Sequence, residues 1–388
     1  KRGDWIGTMD RGLIPILMTV FLLAFGMSFV APLIPLLLKG IGASSATIGQ
    51  IATTYFLSFT VTTAFLGRFI ERVGSKKMII LGLGIFGVAI FCMPYLPNPT
   101  FFYLIRIFQG IGSALLFAPT ETAINILSSP SKRASNMGLY GVVFAVGFAA
   151  GPGIGSWLYA LNMTAPFTFA AASCFGAILV LLFGFDETPV PVKKTEWGFF
   201  SLISILKIPL TAAACYAMVE VAIGSFLSLY LDEISITGGA LGIVFTFFAV
   251  GGALSPYPAG KIADAWGKEP VLKMCGFLLV LVTVAFNLSQ NYWAICFFSF
   301  GVGVVAGALY PVALALIGEI VPPEKMGTAN ASFSFAYGVG CIVGPLITGW
   351  VLELFSIQYL FYPMTAAALI FVVVTILDKG NRKQDISN

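Results

Sequence analysis

The sequence contains no histidine, and only 10% of its 388 residues are charged, against roughly 25% in a typical soluble domain. Without histidine it lacks the residue most often used to bind metals and transfer protons, and no Gly-x-x-x-x-Gly-Lys-Ser/Thr segment for ATP occurs. The six cysteines lie in apolar runs at no metal-ligand spacing. We therefore expect no enzyme, no metal site, no cofactor and no ATP-driven pump.

Hydrophobic residues make up 58% of the chain, more than a soluble protein of this length can bury. The excess predicts an all-α membrane protein with twelve transmembrane helices, each near the ~20 residues that cross a bilayer. The predicted spans are 12–37, 46–68, 78–95, 100–127, 135–159, 165–184, 205–231, 238–262, 271–289, 292–319, 328–352 and 358–377.

The longest polar interruption, "DETPVPVKKTEW" at 186–197, divides these spans into six and six. It predicts an N-terminal six-helix bundle at 1–185, a cytoplasmic linker at 186–204 and a C-terminal six-helix bundle with a short cytoplasmic tail at 205–388. With both termini cytoplasmic, 19 of the 21 basic residues lie inside; the exceptions are Lys39 and Arg106. This bias fits the positive-inside rule, and the scatter of the charges favours no nucleic-acid surface.

The two halves repeat at a nearly constant offset. Gly67-x-x-x-Glu71-x-x-Gly74 recurs 193 residues later as Gly260-x-x-x-Asp264-x-x-Gly267. The stretch "GFAAGPGIGSWL" at 147–158 has a near-copy, "GCIVGPLITGWV", at 340–351 with the same offset, and Pro119 has its counterpart at Pro311 with an offset of 192. The repeat predicts two pseudo-symmetric bundles that arose by duplication of a six-helix unit.

Four motifs resemble the major facilitator superfamily, and most of all its twelve-helix drug:proton antiporter branch. "GRFIERVGSKK" at 67–77 resembles that family's Gly-x-Leu-Ala-Asp-Arg-x-Gly-Arg-Lys, and "RIFQG" at 106–110 matches Arg-x-x-Gln-Gly. "PLIP" at 32–35 resembles Pro-Val-x-Pro, and 147–155 matches the antiporter motif Gly-x-x-x-Gly-Pro-x-x-Gly. Departures are Glu71 for Asp, Ser75 for a basic residue, Ser156 for a second Gly, and Ala265 where Arg would follow Asp264.

The resemblance implies two moving parts. A conformational gate would involve Gly67, Glu71, Arg72, Gly74, Asp264 and Gly267, although a solvated basic loop that only sets topology is the plainer reading. A helix seam between the two halves would involve Gly147, Gly151, Pro152, Gly155, Gly340, Gly344 and Pro345. Small residues let membrane helices approach closely, so static tight packing is the alternative for that motif.

Ionisable residues inside a membrane span are costly and usually functional. Arg106 and Glu121 in the fourth span and Glu220 in the seventh are the candidates for proton coupling. Gln109, Ser113 and Phe117 share a helix face with Arg106, and Tyr216 shares one with Glu220, so these four residues and Glu220 form the candidate substrate-binding set. Alternatively, Glu121 is a residue near the cytoplasmic end that reaches the interface, and Glu220 only bonds a neighbouring helix.

We therefore expect a secondary active transporter, a monomer in the bacterial cytoplasmic membrane. It would export lipophilic or cationic small molecules, with the proton gradient as its energy source. Protons, substrate and lipid would be its partners. The alternatives are a carrier of one physiological solute, such as a metallophore, lipid or sugar, and a non-transporting membrane receptor on the same fold.

Overall fold

The computed structural model describes residues 12–96, 98–128, 133–185, 205–289, 291–321 and 326–378, which form helices joined by short turns and contain no strand. The helices are α1 Leu13–Val30, α2 Leu33–Gly40, α3 Ser45–Val73, α4 Ser75–Cys92, α5 Pro99–Leu127, α6 Arg133–Leu161, α7 Ala165–Gly184, α8 Lys207–Glu233, α9 Gly238–Leu254, α10 Pro256–Trp266, α11 Lys268–Leu288, α12 Tyr292–Ile320, α13 Met326–Leu354 and α14 Phe361–Leu377.

Eleven segments of the described residues are long and apolar enough to cross a membrane. The pair α1–α2 and the pair α9–α10 each make one such segment, broken near Pro32 and Pro256, where proline lacks the N–H of a regular helix. Helix α3 is the twelfth long helix and is not among the eleven. It is more polar, since nine of the 22 residues at 45–66 carry a hydroxyl group. The all-α membrane fold predicted from the sequence is confirmed.

The chain divides into two compact units. Unit 1 comprises Lys1–Ile41 and Thr54–Lys193, and unit 2 comprises Gly42–Thr53 and Lys194–Asn388. The division falls inside the polar segment between the expected bundles, but residues 42–53 belong with the second unit. The reason is close packing on α13: a Cβ on Gly349 would lie 2.7 Å from the Ser45 carbonyl oxygen, and Thr53 Oγ1 donates to the Ile342 carbonyl oxygen at 3.0 Å.

Helix pairing inside the two units follows one pattern. In unit 1, α1 packs on α6 and α7, while α4 packs on α5 and α7. In unit 2, α8 packs on α13 and α14, while α11 packs on α12 and α14. The first helix of each unit therefore contacts the fifth and sixth spans of that unit, and the third contacts the fourth and sixth.

Local backbone features repeat as well. Gly74 (φ 89°) precedes α4 and Gly267 (φ 91°) precedes α11, and both lie in a conformation that glycine adopts without a steric penalty. Asn98 accepts a hydrogen bond from the backbone at the start of α5, and Asn291 does so at the start of α12. The offset is 193 residues in both pairs, so the duplication inferred from sequence is retained in the three-dimensional structure.

Candidate functional site

Glu220 lies on α8 in unit 2, where its carboxylate is held by a tyrosine of another helix. The Tyr337 hydroxyl on α13 donates to Glu220 Oε2 at 2.8 Å. Both side chains are half-buried. The two helices can approach because glycines face α8: a Cβ on Gly340 would lie 2.7 Å from the Ala217 Cβ, and one on Gly344 would lie 2.9 Å from Met218 Cα. The glycine spacing of α13 thus positions the partner of Glu220.

Aromatic rings surround this carboxylate. The Tyr216 ring centroid lies 5.9 Å from that of Tyr337 and 5.6 Å from that of Tyr310 on α12. Tyr310 and Tyr337 are 5.7 Å apart, and the Phe333 ring lies 4.9 Å from Tyr310. The structure thus brings the predicted pair Tyr216 and Glu220 together. It adds Tyr310, Tyr337 and Phe333, which a search along single helices missed.

A second polar cluster lies in unit 1, between α3 and α5. Arg106 Nη1 donates to Gln109 Oε1 at 3.0 Å, and the Arg106 guanidinium lies over the Tyr55 ring, 5.5 Å from its centroid. The Tyr55 and Ser113 hydroxyl oxygens are 2.9 Å apart and share a hydrogen bond. Gln109 and Ser113 are buried. The predicted residues Arg106, Gln109 and Ser113 therefore form one cluster, to which α3 contributes Tyr55.

Phe117 continues this face of α5 with apolar contacts only. Its ring lies 6.2 Å from that of Phe59 on α3 and 5.8 Å from that of Phe144 on α6. Glu121, one turn further along α5, is exposed. It follows Arg106 by 15 residues, which is about 22 Å along a helix that rises 1.5 Å per residue. The structure does not bring these two candidate coupling residues together.

The gate motif is described in part. The backbone of Gly67, Glu71 and Arg72 belongs to α3, but the side chains of Glu71 and Arg72 lie outside the described part of the structure. In unit 2, Asp264 Oδ1 lies 3.5 Å from Lys268 Nζ, which also forms a salt bridge with Glu319 at the end of α12. The second copy of the motif therefore contains an ion-pair cluster that the sequence did not indicate.

Most residues of the predicted helix seam contact a helix of their own half of the chain. A Cβ on Gly147 would lie 2.8 Å from the Phe21 carbonyl oxygen, one on Gly151 would lie 2.9 Å from the Phe25 carbonyl oxygen, and Gly155 abuts Phe29. All three contacts are with α1 of unit 1. Gly340 and Gly344 of α13 face α8 of unit 2 in the same way. We expected this motif to meet the other half of the chain. The glycines contact a helix of their own half instead, whereas the Pro345 backbone of α13 packs against Gly49 of α3, which belongs to the expected N-terminal bundle. Pro152 and Pro345 lie inside α6 and α13.

A sequence profile of the Major Facilitator Superfamily matches residues 16–230 and, a second time, residues 209–386. The chain belongs to the Major Facilitator Superfamily. The two matches fall on the two copies of the repeat and together cover nearly the whole chain.

Curated relatives are distant but nearly full-length. The uncharacterised MFS-type transporter YfkF of Bacillus subtilis (strain 168) is 25% identical over 370 residues, covering 90% of this chain and 91% of that protein. The quinolone resistance protein NorA of Staphylococcus aureus (strain MSSA476) is 24% identical over 385 residues, covering 96% and 98%. The likeness thus extends over 90–96% of this chain, and one of these relatives is named as a transporter.

Solved structures share the fold at lower identity. The nucleoside transporter NupG superimposes with a TM-score of 0.78 at 13% identity, covering 95% of this chain and 98% of that one. A bacterial homologue of the human lysosomal transporter Spinster superimposes with a TM-score of 0.80 at 14% identity, covering 96% and 97%. At such identities the likeness establishes the fold alone.

Proposed function

We propose that this superfamily transporter is a proton-coupled exporter of lipophilic or cationic small molecules, with the proton gradient as its energy source and no cofactor. It would act as a monomer by alternating access in a bacterial cytoplasmic membrane. The observation that carries the proposal is the Glu220 carboxylate, which accepts a hydrogen bond from Tyr337 within a helix apolar enough to span a bilayer. The similarity of nearly the whole chain to a protein named for quinolone resistance supports export as the direction of transport.

The proposed mechanism is competition for one carboxylate. A protonated Glu220 would be neutral and would leave the tyrosine-lined site without a charge that attracts a cation. A deprotonated Glu220 would attract a cation, and the rings of Tyr216 and Tyr310 would contact its apolar parts. Because a proton and a substrate would then exclude one another, exchange follows without a second coupling residue.

The gate remains part of this proposal. Gly67, Glu71, Arg72 and Gly74 in unit 1, with Asp264 and Gly267 in unit 2, would control access from the cytoplasmic side. The two positive-φ glycines place a sharp turn at the same point of each copy. Lys268 joins Asp264 to Glu319 in unit 2, so that turn is tied to α12.

The test is proton-driven flux of tetraphenylphosphonium in liposomes. We expect the parent protein to move this cation against its gradient when a pH gradient is imposed, and Glu220→Gln to lose that movement while remaining folded. Glu353→Gln removes the charge of an exposed carboxylate at the end of α13 and keeps an oxygen that can accept the hydrogen bond from the Ala46 backbone N–H, so it should behave as the parent does. Undiminished gradient-driven accumulation by Glu220→Gln would reject the coupling role and direct the same experiment to Glu121→Gln.

A further inference from the structure

Arg106 is a cation with no counter-charge among the described residues. Its side-chain hydrogen bond goes to the neutral amide of Gln109, and its Nε is buried with no hydrogen-bond partner. The ion pairs that Lys268 forms in unit 2 do not include it. A buried charge without an opposite charge is costly, and an unsatisfied buried donor in a native structure calls for an explanation such as an ordered water, an ion or a functional role.

The guanidinium is nevertheless held in a defined position. The Tyr55 ring lies under it, and the hydrogen bond to Ser113 fixes that ring. Close helix packing supports the arrangement, since a Cβ on Gly110 would lie 2.8 Å from the Phe59 backbone nitrogen of α3. The Arg106 guanidinium is therefore held in place before any ligand binds, as in a pre-organised binding site.

Aromatic surface begins one helical turn away. Phe59 follows Tyr55 by four residues on α3, and Phe117 follows Ser113 by four residues on α5. Their rings lie 6.2 Å apart, and the rings of Phe144 and Phe148 on α6 extend the same apolar surface. The polar end of this region carries the Arg106 guanidinium, and the exposed Glu121 carboxylate lies one helical turn beyond Phe117 at the other end.

We propose that Arg106 binds the carboxylate of an aromatic carboxylic acid, whose ring system lies against Phe59 and Phe117. The planar guanidinium offers parallel N–H donors that match a carboxylate, and such charge-assisted bonds are among the strong ones. A small hydrated anion would gain nothing from the adjacent rings. Substrates would then include anionic or zwitterionic aromatic compounds as well as cations. The inference takes from the proposed function only that the chain binds amphiphilic small molecules.

Unit 2 has no equivalent of this site. The positions 193 residues after Arg106, Gln109 and Ser113 are Ser299, Val302 and Ala306. The carboxylate-binding group is thus confined to unit 1, and substitutions there can be compared with a chemically similar pair elsewhere. Lys261 of α10 offers that comparison, because its ammonium lies 4.7 Å from the centroid of the Tyr257 ring on the exposed surface of unit 2.

The experiment measures equilibrium binding to the full-length protein in detergent, with dansylglycine and dansylglycine methyl ester as probes. We expect the acid to bind roughly tenfold or more tightly than the ester, the ratio that hydrogen bonds between charged groups provide. Arg106→Gln should reduce acid binding to the level of the ester and leave ester binding unchanged, and that ester binding also reports folding. Lys261→Gln should keep the parent's preference for the acid. Equal affinity of the parent for acid and ester would overturn the proposal without recourse to any variant.

Competition identifies the source of the carboxylate. Unlabelled 2-naphthoate should displace dansylglycine, whereas glycerol 3-phosphate, which represents a lipid head group, should not. Displacement by glycerol 3-phosphate and not by 2-naphthoate would reject an aromatic acid as the ligand. This binding is measured in detergent, where no proton gradient exists, so its outcome does not depend on proton coupling. A failure here therefore leaves proton-driven cation transport to be judged separately.

Discussion

At the scale of single residues, a few differences between the two repeats distinguish an aromatic contact in unit 1 from a carboxylate site in unit 2. Phe117 and Phe144 of unit 1 pack with their rings 5.8 Å apart, and Tyr310 and Tyr337, 193 residues later, pack 5.7 Å apart. The ring geometry is retained while hydroxyl groups are added. On α8 a carboxylate, Glu220, stands where the repeat has Met27, and the new hydroxyl of Tyr337 hydrogen-bonds to it.

Replacing Tyr337 with phenylalanine tests the hydroxyl alone. Because the ring and its packing stay, we expect a small loss of stability, of the order of 0.6–2 kcal/mol for a hydrogen bond within a membrane protein. Proton-coupled flux should fall by about tenfold, since Glu220 loses the group that orients it. Flux in liposomes and the thermal unfolding midpoint in detergent are the measurements.

Tyr230→Phe is the matched control for that variant. Tyr230 is a buried tyrosine of the same helix as Glu220. It lies ten residues further along that helix, and its ring packs on Phe286 and Phe361. It should keep parental flux. If Tyr337→Phe also transports at the parental rate, the hydrogen bond to Glu220 has no part in coupling.

The candidate site could be predicted from sequence only where its members share a helix. Arg106, Gln109 and Ser113 follow one another at helical spacing, as do Tyr216 and Glu220, so periodicity found them. Tyr55, Tyr310 and Tyr337 approach from other helices, and nothing in their own surroundings distinguishes them from ordinary apolar positions. Aligning the two halves residue by residue would have indicated Tyr310 and Tyr337, because each replaces a phenylalanine.

At the scale of helices, the glycines of α6 divide into two kinds. Gly147, Gly151 and Gly155 face α1, where an added Cβ would collide with backbone or side-chain atoms. At Gly138 and Gly141 of the same helix a Cβ would meet nothing within 4 Å. Sequence spacing identified the crowded set correctly but assigned it the wrong neighbour, because a flat helix face does not specify which helix will cover it.

Alanine substitutions at Gly147 and Gly141 should therefore have opposite effects. Gly147→Ala places its methyl group 2.8 Å from the Phe21 carbonyl oxygen and 3.1 Å from the Ala24 Cβ, so α1 and α6 must separate. We expect destabilisation of about 1–3 kcal/mol, as for overpacked cores. Gly141→Ala adds helix propensity without a collision and should stabilise by up to about 1 kcal/mol.

The measurement for this pair is the thermal unfolding midpoint of each purified variant in detergent. A lower midpoint for Gly147→Ala and an equal or higher one for Gly141→Ala would agree with the packing described here. Equal midpoints for the two variants would show that the contact between α1 and α6 tolerates separation.

At the scale of the whole molecule, the two units share their helix packing and differ in their polar side chains. Helix pairing, the positive-φ glycines and the asparagine caps occur in both units. The polar groups do not: unit 1 carries a cation beside Tyr55, and unit 2 carries a carboxylate beside Tyr337. The repeated framework was predictable because each glycine and cap leaves a local signature. The assignment of residues 42–53 to unit 2 could not be predicted, because it depends on packing against a helix some 300 residues away in the sequence.

The orientation of the whole chain is the broadest prediction from the sequence and can be tested with two glycines. Gly40 ends α2, and Gly318 lies near the end of α12; both are exposed, and a Cβ at either would meet nothing within 4 Å. Cysteine can therefore be introduced at both without disturbing packing. If both termini are cytoplasmic, the first span ends outside the cell and the tenth ends inside. The described native cysteines other than Cys92 are buried, so Cys92 would be replaced by alanine in both variants.

A membrane-impermeant maleimide should then label Gly40→Cys in intact cells, and should label Gly318→Cys only after the cells are permeabilised. The physical basis is the distribution of basic side chains, which are retained on the cytoplasmic side during insertion. The reverse pattern would place the termini outside and would oblige Lys39 to be one of the few internal cations. Labelling of both variants in intact cells would instead mean that the segments between these positions do not cross the bilayer an odd number of times. Either result would reject the twelve-span topology with cytoplasmic termini.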